Sequence, residues 1–226
     1  MSQRSGQQHK VRVEKGFSLI ELLVVILILA ILAAMAIPGW QRMQKNARLN
    51  GDAHSLAEAL SIAKMRAGAN FTDARVFLYT GTSRQYYRVD MWNAASNNGN
   101  GCWVPDGISN PATDTTNCIT TSATTGYETN LSTGVSAGYG SLSTVPSNFV
   151  STLAQASPCK QGGTTPTSGS DVSDSSCIVF NSRGFPTAAG GLYITDTTRV
   201  YGVVTNSMGL MHTYVSSASS ATWYAY

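Results

Sequence analysis

Charged side chains are scarce in this chain: Asp, Glu, Lys and Arg make up only 12% of its 226 residues, about half the usual share. The length allows one or two domains. The net charge of +3 resides entirely in residues 1–16, because the remaining residues carry eleven bases and eleven acids. Residues 71–226 hold six bases against eight acids. Phosphate binding needs clustered Lys and Arg, so nucleic acid is disfavoured as a partner.

Patterns for catalysis and metal binding are also missing. His9, His54 and His212 form no HExxH motif and no spacing typical of a catalytic triad. Asp171 and Asp174 lie in a Ser/Gly-rich stretch without the dense oxygen ligands of a calcium loop. We therefore expect no enzymatic activity, no cofactor and no metal site.

No CxxC pair occurs, which argues against a zinc or thioredoxin-like site. The four cysteines are separated by 16, 41 and 18 residues: Cys102, Cys118, Cys159 and Cys177. Three pairings are open. Cys102–Cys118 and Cys159–Cys177 are favoured because each closes a short loop in a polar region, while free buried thiols remain the alternative. Disulfides would place this part of the chain on the exported side of a membrane.

One long apolar run is present. Residues 22–37 are sixteen apolar residues in a row, directly after Glu21. As a helix, residues 17–37 span roughly 32 Å at about 1.5 Å per residue, enough to cross a hydrocarbon core of about 30 Å. The basic residues 1–16 favour a cytoplasmic N-terminus. A carboxylate in such a segment is expensive and calls for a partner.

Three interpretations of this segment compete. An ordinary signal peptide would use the AAMA stretch at residues 33–36 for cleavage, but the apolar run is long and contains Glu21. A plain membrane anchor leaves Glu21 unexplained. In the third, KGFSLIE at residues 15–21, the apolar run and Pro38 resemble the prepilin signature shared by type IV pilins and type II secretion pseudopilins.

The resemblance implies specific chemistry at the N-terminus. A prepilin peptidase would cut after Gly16 and methylate the new first residue, Phe17. The freed α-amine has an ordinary pKa of about 7.7–8.0 and is largely protonated at neutral pH. A lone ammonium and a lone carboxylate are each costly in lipid, and pairing makes both tolerable. By the same resemblance, Glu21 of an incoming subunit pairs with the Phe17 amine of a docked one and sets the axial register.

Residues 38–70 predict an amphipathic stalk helix. Pro38 removes a backbone donor and predicts a kink. The apolar stripe has alternating four- and three-residue steps and consists of Leu49, Ala53, Leu56, Leu60, Ala63 and Ala67, extended backwards by Trp40, Met43 and Ala47. Either the whole stripe packs on the head of its own chain, or only its upper half does and the lower half packs on neighbouring helices.

Residues 71–226 predict a β-rich head. ARVFLYTG and RQYYRVDMWNA predict a hairpin around residues 81–83. Arg84, Tyr86, Tyr87 and Arg88 form either a small basic-aromatic patch or, the favoured interpretation, part of the sheet packing. Residues 94–176 are a polar insertion of surface loops with a few short strands. Strand patterns then resume and predict an antiparallel meander. CIVFNSRGFP and VVTNSMGLM in this tail resemble the GspH/FimT group of minor pilins and pseudopilins.

The sequence therefore predicts an α+β, pilin-like fold, with a long N-terminal helix packed on an antiparallel β-sheet head. The domains are a cleaved leader (1–16), a transmembrane or filament-core helix (17–37), the stalk (38–70) and the head (71–226). The resemblance implies a minor subunit of a type IV pilus or type II secretion pseudopilus, anchored in the bacterial inner membrane with its head in the periplasm. Its partners would be other pilin subunits, the prepilin peptidase and an inner-membrane assembly platform. The alternative is a filament-tip adhesin or ligand-binding module that uses residues 94–176.

Overall fold

The structure is a computed structural model that describes residues 17–82, 84–95, 99–107, 118–119, 127–146, 150–220 and 222–226. It divides into two compact units, Met1–Met43 and Gln44–Tyr226. Gly16 and the rest of the predicted leader lie outside the described residues, as does Ser83 of the predicted hairpin turn.

A long helix, α1, runs from Leu19 to Asn70. Its first turn is closed by the Ser18 carbonyl, which accepts hydrogen bonds from the amides of Glu21 at 3.0 Å and Leu22 at 3.2 Å. The helix ends where Phe71 takes a φ of 51°, a left-handed conformation typical of helix C-termini. Pro38 lies inside α1, and the kink expected there stays a prediction.

In the part of the chain that the structure describes, ten strands follow in two antiparallel sheets: β1 (Ala74–Tyr79), β2 (Tyr86–Asn93), β3 (Cys102–Pro105), β4 (Thr129–Asn130), β5 (Ser136–Ala137), β6 (Ser175–Phe180), β7 (Gly190–Thr195), β8 (Arg199–Thr205), β9 (Met211–Ser217) and β10 (Tyr224–Ala225). The first sheet has the order β3-β2-β1-β6, with β4 also paired to β2. The second has the order β10-β9-β8-β7-β5. Together with α1 they confirm the predicted α+β layout.

The strand pairing agrees with the sequence locally and departs from it over long range. The predicted hairpin is β1–β2, in register from Ala74↔Met91 to Leu78↔Tyr87. Strands β7 to β10 form the expected meander. Strand β6 does not join that meander: it pairs with β1 in the first sheet, with Phe77 opposite Cys177. No local pattern in the sequence specifies that choice, because it joins segments about a hundred residues apart.

The main core of the C-terminal unit lies between α1 and one face of both sheets, which we call the inner face. The predicted stripe from Leu49 to Ala67 is fully buried. It packs on alternate strand residues, among them Val76, Leu78, Ile178, Leu192 and Val203. Burying each Leu or Val side chain contributes about 1.5–3 kcal/mol. The backward extension of the stripe behaves differently, because Trp40 and Met43 are 60% and 61% exposed, and Ala47 is exposed too.

The polar insertion does more than form surface loops. It supplies β3, β4 and β5, and part of its other described residues covers the outer faces of both sheets. Leu142, Val150 and Leu153 pack with Tyr193 and Val204 of the second sheet. Cys159 and Val172 pack on the first sheet beside Phe77 and Tyr86. A few well-spaced apolar residues are enough to pack the insertion on the sheets. The average composition of the insertion, which is polar, does not reveal them.

Two disulfides fix the insertion to the first sheet. Cys102 of β3 is bonded to Cys118, and Cys159 is bonded to Cys177 of β6. These are the two pairs that the sequence spacing favours. Closing loops of this length stabilises a fold by about 3 kcal/mol in the chain-entropy description.

Candidate functional site

The N-terminal unit presents an apolar surface that is exposed among the described residues. Every side chain described between Phe17 and Ile37 is exposed, and Phe17 and Leu27 are 79% and 57% exposed. Among the described helices, α1 is long and apolar enough to cross a membrane by length and composition. A helix that is apolar all round needs either lipid or other helices around it.

Glu21 is the only acid in this surface. It lies in the first turn of α1, three residues after Ser18, and its side chain is exposed. Its backbone amide bonds to Ser18, whereas its carboxylate has no hydrogen bond or ion pair to any residue that the structure describes. The carboxylate is therefore available to a group from outside the described chain.

Residues 11–37 match the protein family described as the prokaryotic N-terminal methylation motif. The chain carries a type IV pilin-like prepilin signature. The matched residues include Gly16, Phe17 and Glu21, and they end one residue before Pro38. No curated protein and no solved structure matched the chain. The likeness to the GspH/FimT group therefore stays a prediction.

The prepilin signature explains why this apolar surface is left open. In pilin-like proteins the N-terminal helix serves as membrane anchor and as the contact between subunits, so its partners are other molecules. Cleavage after Gly16 and methylation at Phe17 remain predictions, as does the role of Glu21 in setting register. Of these residues, the structure describes Phe17 and Glu21.

A second candidate site lies on the outer face of the first sheet, where charged groups are buried. Asp90 accepts hydrogen bonds from Arg75 Nε at 2.8 Å and from Arg88 Nε at 2.9 Å. The Arg88 side chain also lies 3.6 Å from a carboxylate oxygen of Glu128. Arg75, Arg88 and Asp90 are each at most 2% exposed. Removing one member of such a network leaves an uncompensated buried charge and costs about 3–5 kcal/mol.

Aromatic rings and a backbone carbonyl complete the surroundings of these cations. The guanidinium carbon of Arg75 lies 4.3 Å from the ring centre of Trp103, and that of Arg88 lies 4.1 Å from Phe77. Arg75 Nη1 donates to the Lys160 carbonyl at 2.6 Å. Burial lowers the pKa of Arg75 to about 10, although the charge of Asp90 opposes this shift. Arg75 therefore stays protonated at neutral pH.

This burial decides between the two interpretations of the basic-aromatic stretch. Tyr86, Tyr87 and Arg88 are buried in the first sheet at 2%, 5% and 2% exposure. Only Arg84 is exposed, and its Nε donates to the side chain of Asn130 at 2.5 Å. The stretch packs in the sheet, as the favoured interpretation predicts.

The other polar candidates each have neighbours of their own. The ring of His54 lies 5.2 Å from that of Tyr226 between centres, while the ring of His212 lies 6.1 Å from that of Tyr214. Asp171 pairs with Lys160 at 2.7 Å. No group of three or more side chains of metal-ligating type occurs in the part of the chain that the structure describes.

Sequence reasoning missed the buried charge network. A signal was available, because Arg75, Arg88 and Asp90 interrupt strand patterns that are otherwise apolar and aromatic. In a strand, residues two apart share a face. The spacing of Arg88 and Asp90 alone therefore predicts that they lie on the same face of β2. Their pairing with Arg75 depends on the β1–β2 register, in which Arg75 lies opposite Asp90.

Proposed function

We propose that the chain is a minor pilin or pseudopilin, a structural subunit that assembles through α1 into a type IV pilus or type II secretion pseudopilus. The observation that carries the proposal is the methylation motif at residues 11–37, joined to an apolar helix whose described side chains are exposed between residues 17 and 37. The subunit acts by packing and carries out no catalytic step.

The proposed route begins in the inner membrane, with the leader in the cytoplasm and residues 44–226 in the periplasm. A prepilin peptidase cuts after Gly16 and methylates Phe17. The Glu21 carboxylate then pairs with the Phe17 ammonium of a neighbouring subunit. In the low-dielectric surroundings of lipid or packed helices this pairing is far stronger than in water, so an unprocessed chain, which lacks the ammonium, cannot enter the filament. An inner-membrane platform supports assembly.

The exposed residues Trp40, Met43 and Ala47 support helix-to-helix packing. They continue the stripe that is buried from Leu49 onward. This pattern favours the interpretation in which only the upper half of the stripe packs within its own chain. The lower half is proposed to pack on neighbouring subunits.

The test replaces Glu21 with leucine in the full chain and follows processing and assembly separately. We expect Glu21→Leu to insert in the membrane and to yield N-methyl-phenylalanine at Phe17 by mass spectrometry, yet to be absent from sheared filaments. Ile20→Leu, a conservative change in the same turn, should assemble normally. Normal incorporation of Glu21→Leu would refute the register role. A mature N-terminus at Ile37 would identify an ordinary signal peptide and refute the whole proposal.

A further inference from the structure

A pocket of about 190 Å³ opens on the outer face of the first sheet. Arg75 and Trp103 line it together with Cys177 and Val179 of β6. The insertion contributes residues 156–158, Lys160, Pro166 and Thr167, and the exposed residues 187–189 form part of the rim. All of the lining residues are among those the structure describes. The pocket is therefore built by the insertion where it crosses the sheet.

Arg75 is the one fully buried charged residue that lines this pocket. Its Nε is bonded to Asp90 and its Nη1 to the Lys160 carbonyl. Its Nη2 is buried and finds no acceptor among the described residues. Buried N–H groups almost always have a partner, and one without a partner calls for an explanation.

We propose that this pocket is a binding site for a small carboxylate with a compact apolar body, whose carboxylate accepts a hydrogen bond from Arg75 Nη2. A carboxylate is the natural complement of a guanidinium. Lys160 also lines the pocket, and its Nζ is paired with Asp171 at 2.7 Å. Most of the other lining residues are apolar, among them alanines, prolines, Val179 and Trp103, although Ser157, Thr167 and Thr187 also contribute; this lining suits an apolar body.

The volume sets the size of the ligand. An apolar protein cavity of about 150 Å³ holds one benzene molecule. A pocket of about 190 Å³ accordingly accommodates one ring with a carboxylate attached, and benzoate is the simplest probe of that class. The proposal is independent of assembly through α1, because each of its contacts lies within Gln44–Tyr226. It assigns a ligand contact to part of the 94–176 insertion.

Isothermal titration calorimetry of the full chain in detergent tests the proposal, with benzoate, benzamide and benzyl alcohol as probes. We expect saturable benzoate binding with one site per chain, and at least tenfold weaker binding of the two uncharged probes. Ala189→Phe places a large side chain on the exposed rim and should weaken benzoate binding at least tenfold. The matched control Ala69→Phe adds the same side chain at an exposed position of α1 and should leave binding unchanged.

Arg75→Lys keeps the charge and removes the Nη2 donor, so we expect benzoate binding to fall at least fivefold. If that variant does not fold, Ala189→Phe still decides the question, because its site is at the surface. The proposal is overturned by the lack of saturable benzoate binding to the unmodified chain. It is equally overturned if benzamide binds as tightly as benzoate, or if Ala189→Phe binds as well as Ala69→Phe.

Discussion

The two parts of α1 both carry apolar side chains, but these have opposite surroundings. Residues 19–43 are almost uniformly apolar up to Ile37, and every side chain described there is exposed. Residues 44–70 carry a narrow apolar stripe, which is buried from Leu49 to Ala67. The width of the apolar surface thus indicates whether a helix segment packs within its own chain or against molecules outside it. The stripe packs on the sheets of its own chain, whereas a fully apolar surface needs lipid or other helices around it.

The largest expected difference between the two parts comes from shortening one leucine in each. Leu60 is fully buried in the main core, so Leu60→Ala removes packed methyl groups and leaves a cavity. We expect it to lower the free energy of unfolding of the C-terminal unit by about 2–5 kcal/mol. Urea denaturation of the detergent-solubilised chain, followed by tryptophan fluorescence, measures this change.

Leu27→Ala is the matched variant in the first part of α1. Leu27 is 57% exposed, so we expect the free energy of unfolding of the C-terminal unit to change by less than about 0.5 kcal/mol. Similar losses in the two variants would show that the exposed part of α1 is also covered within the chain, and would contradict the comparison.

A smaller effect is expected from the hydrogen bonds that attach the insertion to the second part of α1. The Asp52 carboxylate accepts bonds from the backbone amide of Ser132 at 2.8 Å and from its hydroxyl at 2.9 Å. Asp52→Ala leaves both donors without their acceptor and should cost about 1–3 kcal/mol. Glu58→Ala, an exposed acid on the same helix, should stay within about 0.5 kcal/mol. Equal results for the two variants in urea denaturation would contradict this role of Asp52.

The smallest expected effect is a pH dependence at Asp106, which Arg66 of α1 contacts at 3.1 Å. Burial raises the pKa of Asp106, and the charge and hydrogen bond of Arg66 only partly oppose the shift. Because the folded-state pKa lies above the unfolded value of about 3.9, this group lowers stability as pH rises from the unfolded to the folded pKa. The resulting penalty remains at neutral pH.

Asp106→Asn removes the ionisation and with it this penalty. We expect the variant to be more stable than the unmodified chain at pH 7 by less than about 1 kcal/mol, with the difference shrinking as pH falls through the folded-state pKa and gone below the unfolded pKa of about 3.9. Denaturation midpoints at pH 3 to 7 measure the trend. A variant that is less stable at pH 7 would show that the ion pair with Arg66 outweighs burial.

The sequence predicted the features that depend on local order. The stripe from Leu49 to Ala67 follows from helical periodicity, the β1–β2 hairpin from β-branched and aromatic runs, and the disulfide pairs from short spacings. Each of these depends on residues at most about twenty apart. The prepilin signature is similarly compact, since its residues lie within one segment and match the methylation motif.

Features that depend on distant segments were not predictable in the same way. Residue spacing does not tell which sheet β6 joins, because each sheet accepts an alternating apolar strand. Nor does it tell that the insertion covers the outer faces, since this depends on isolated residues such as Leu142 and Val172. The pocket at Arg75 depends on both of these features, because it forms only when β6 lies beside β1 and the insertion is folded across the two strands.

The β1–β6 pairing has a consequence for the order in which the chain folds. Phe77 and Cys177 face each other across that pair, so the first sheet is completed only after about a hundred residues beyond β1 have been synthesised. Contacts this far apart in sequence form late, because a long loop must close first. Until β6 arrives, β1 has an open edge to which other strands can bind.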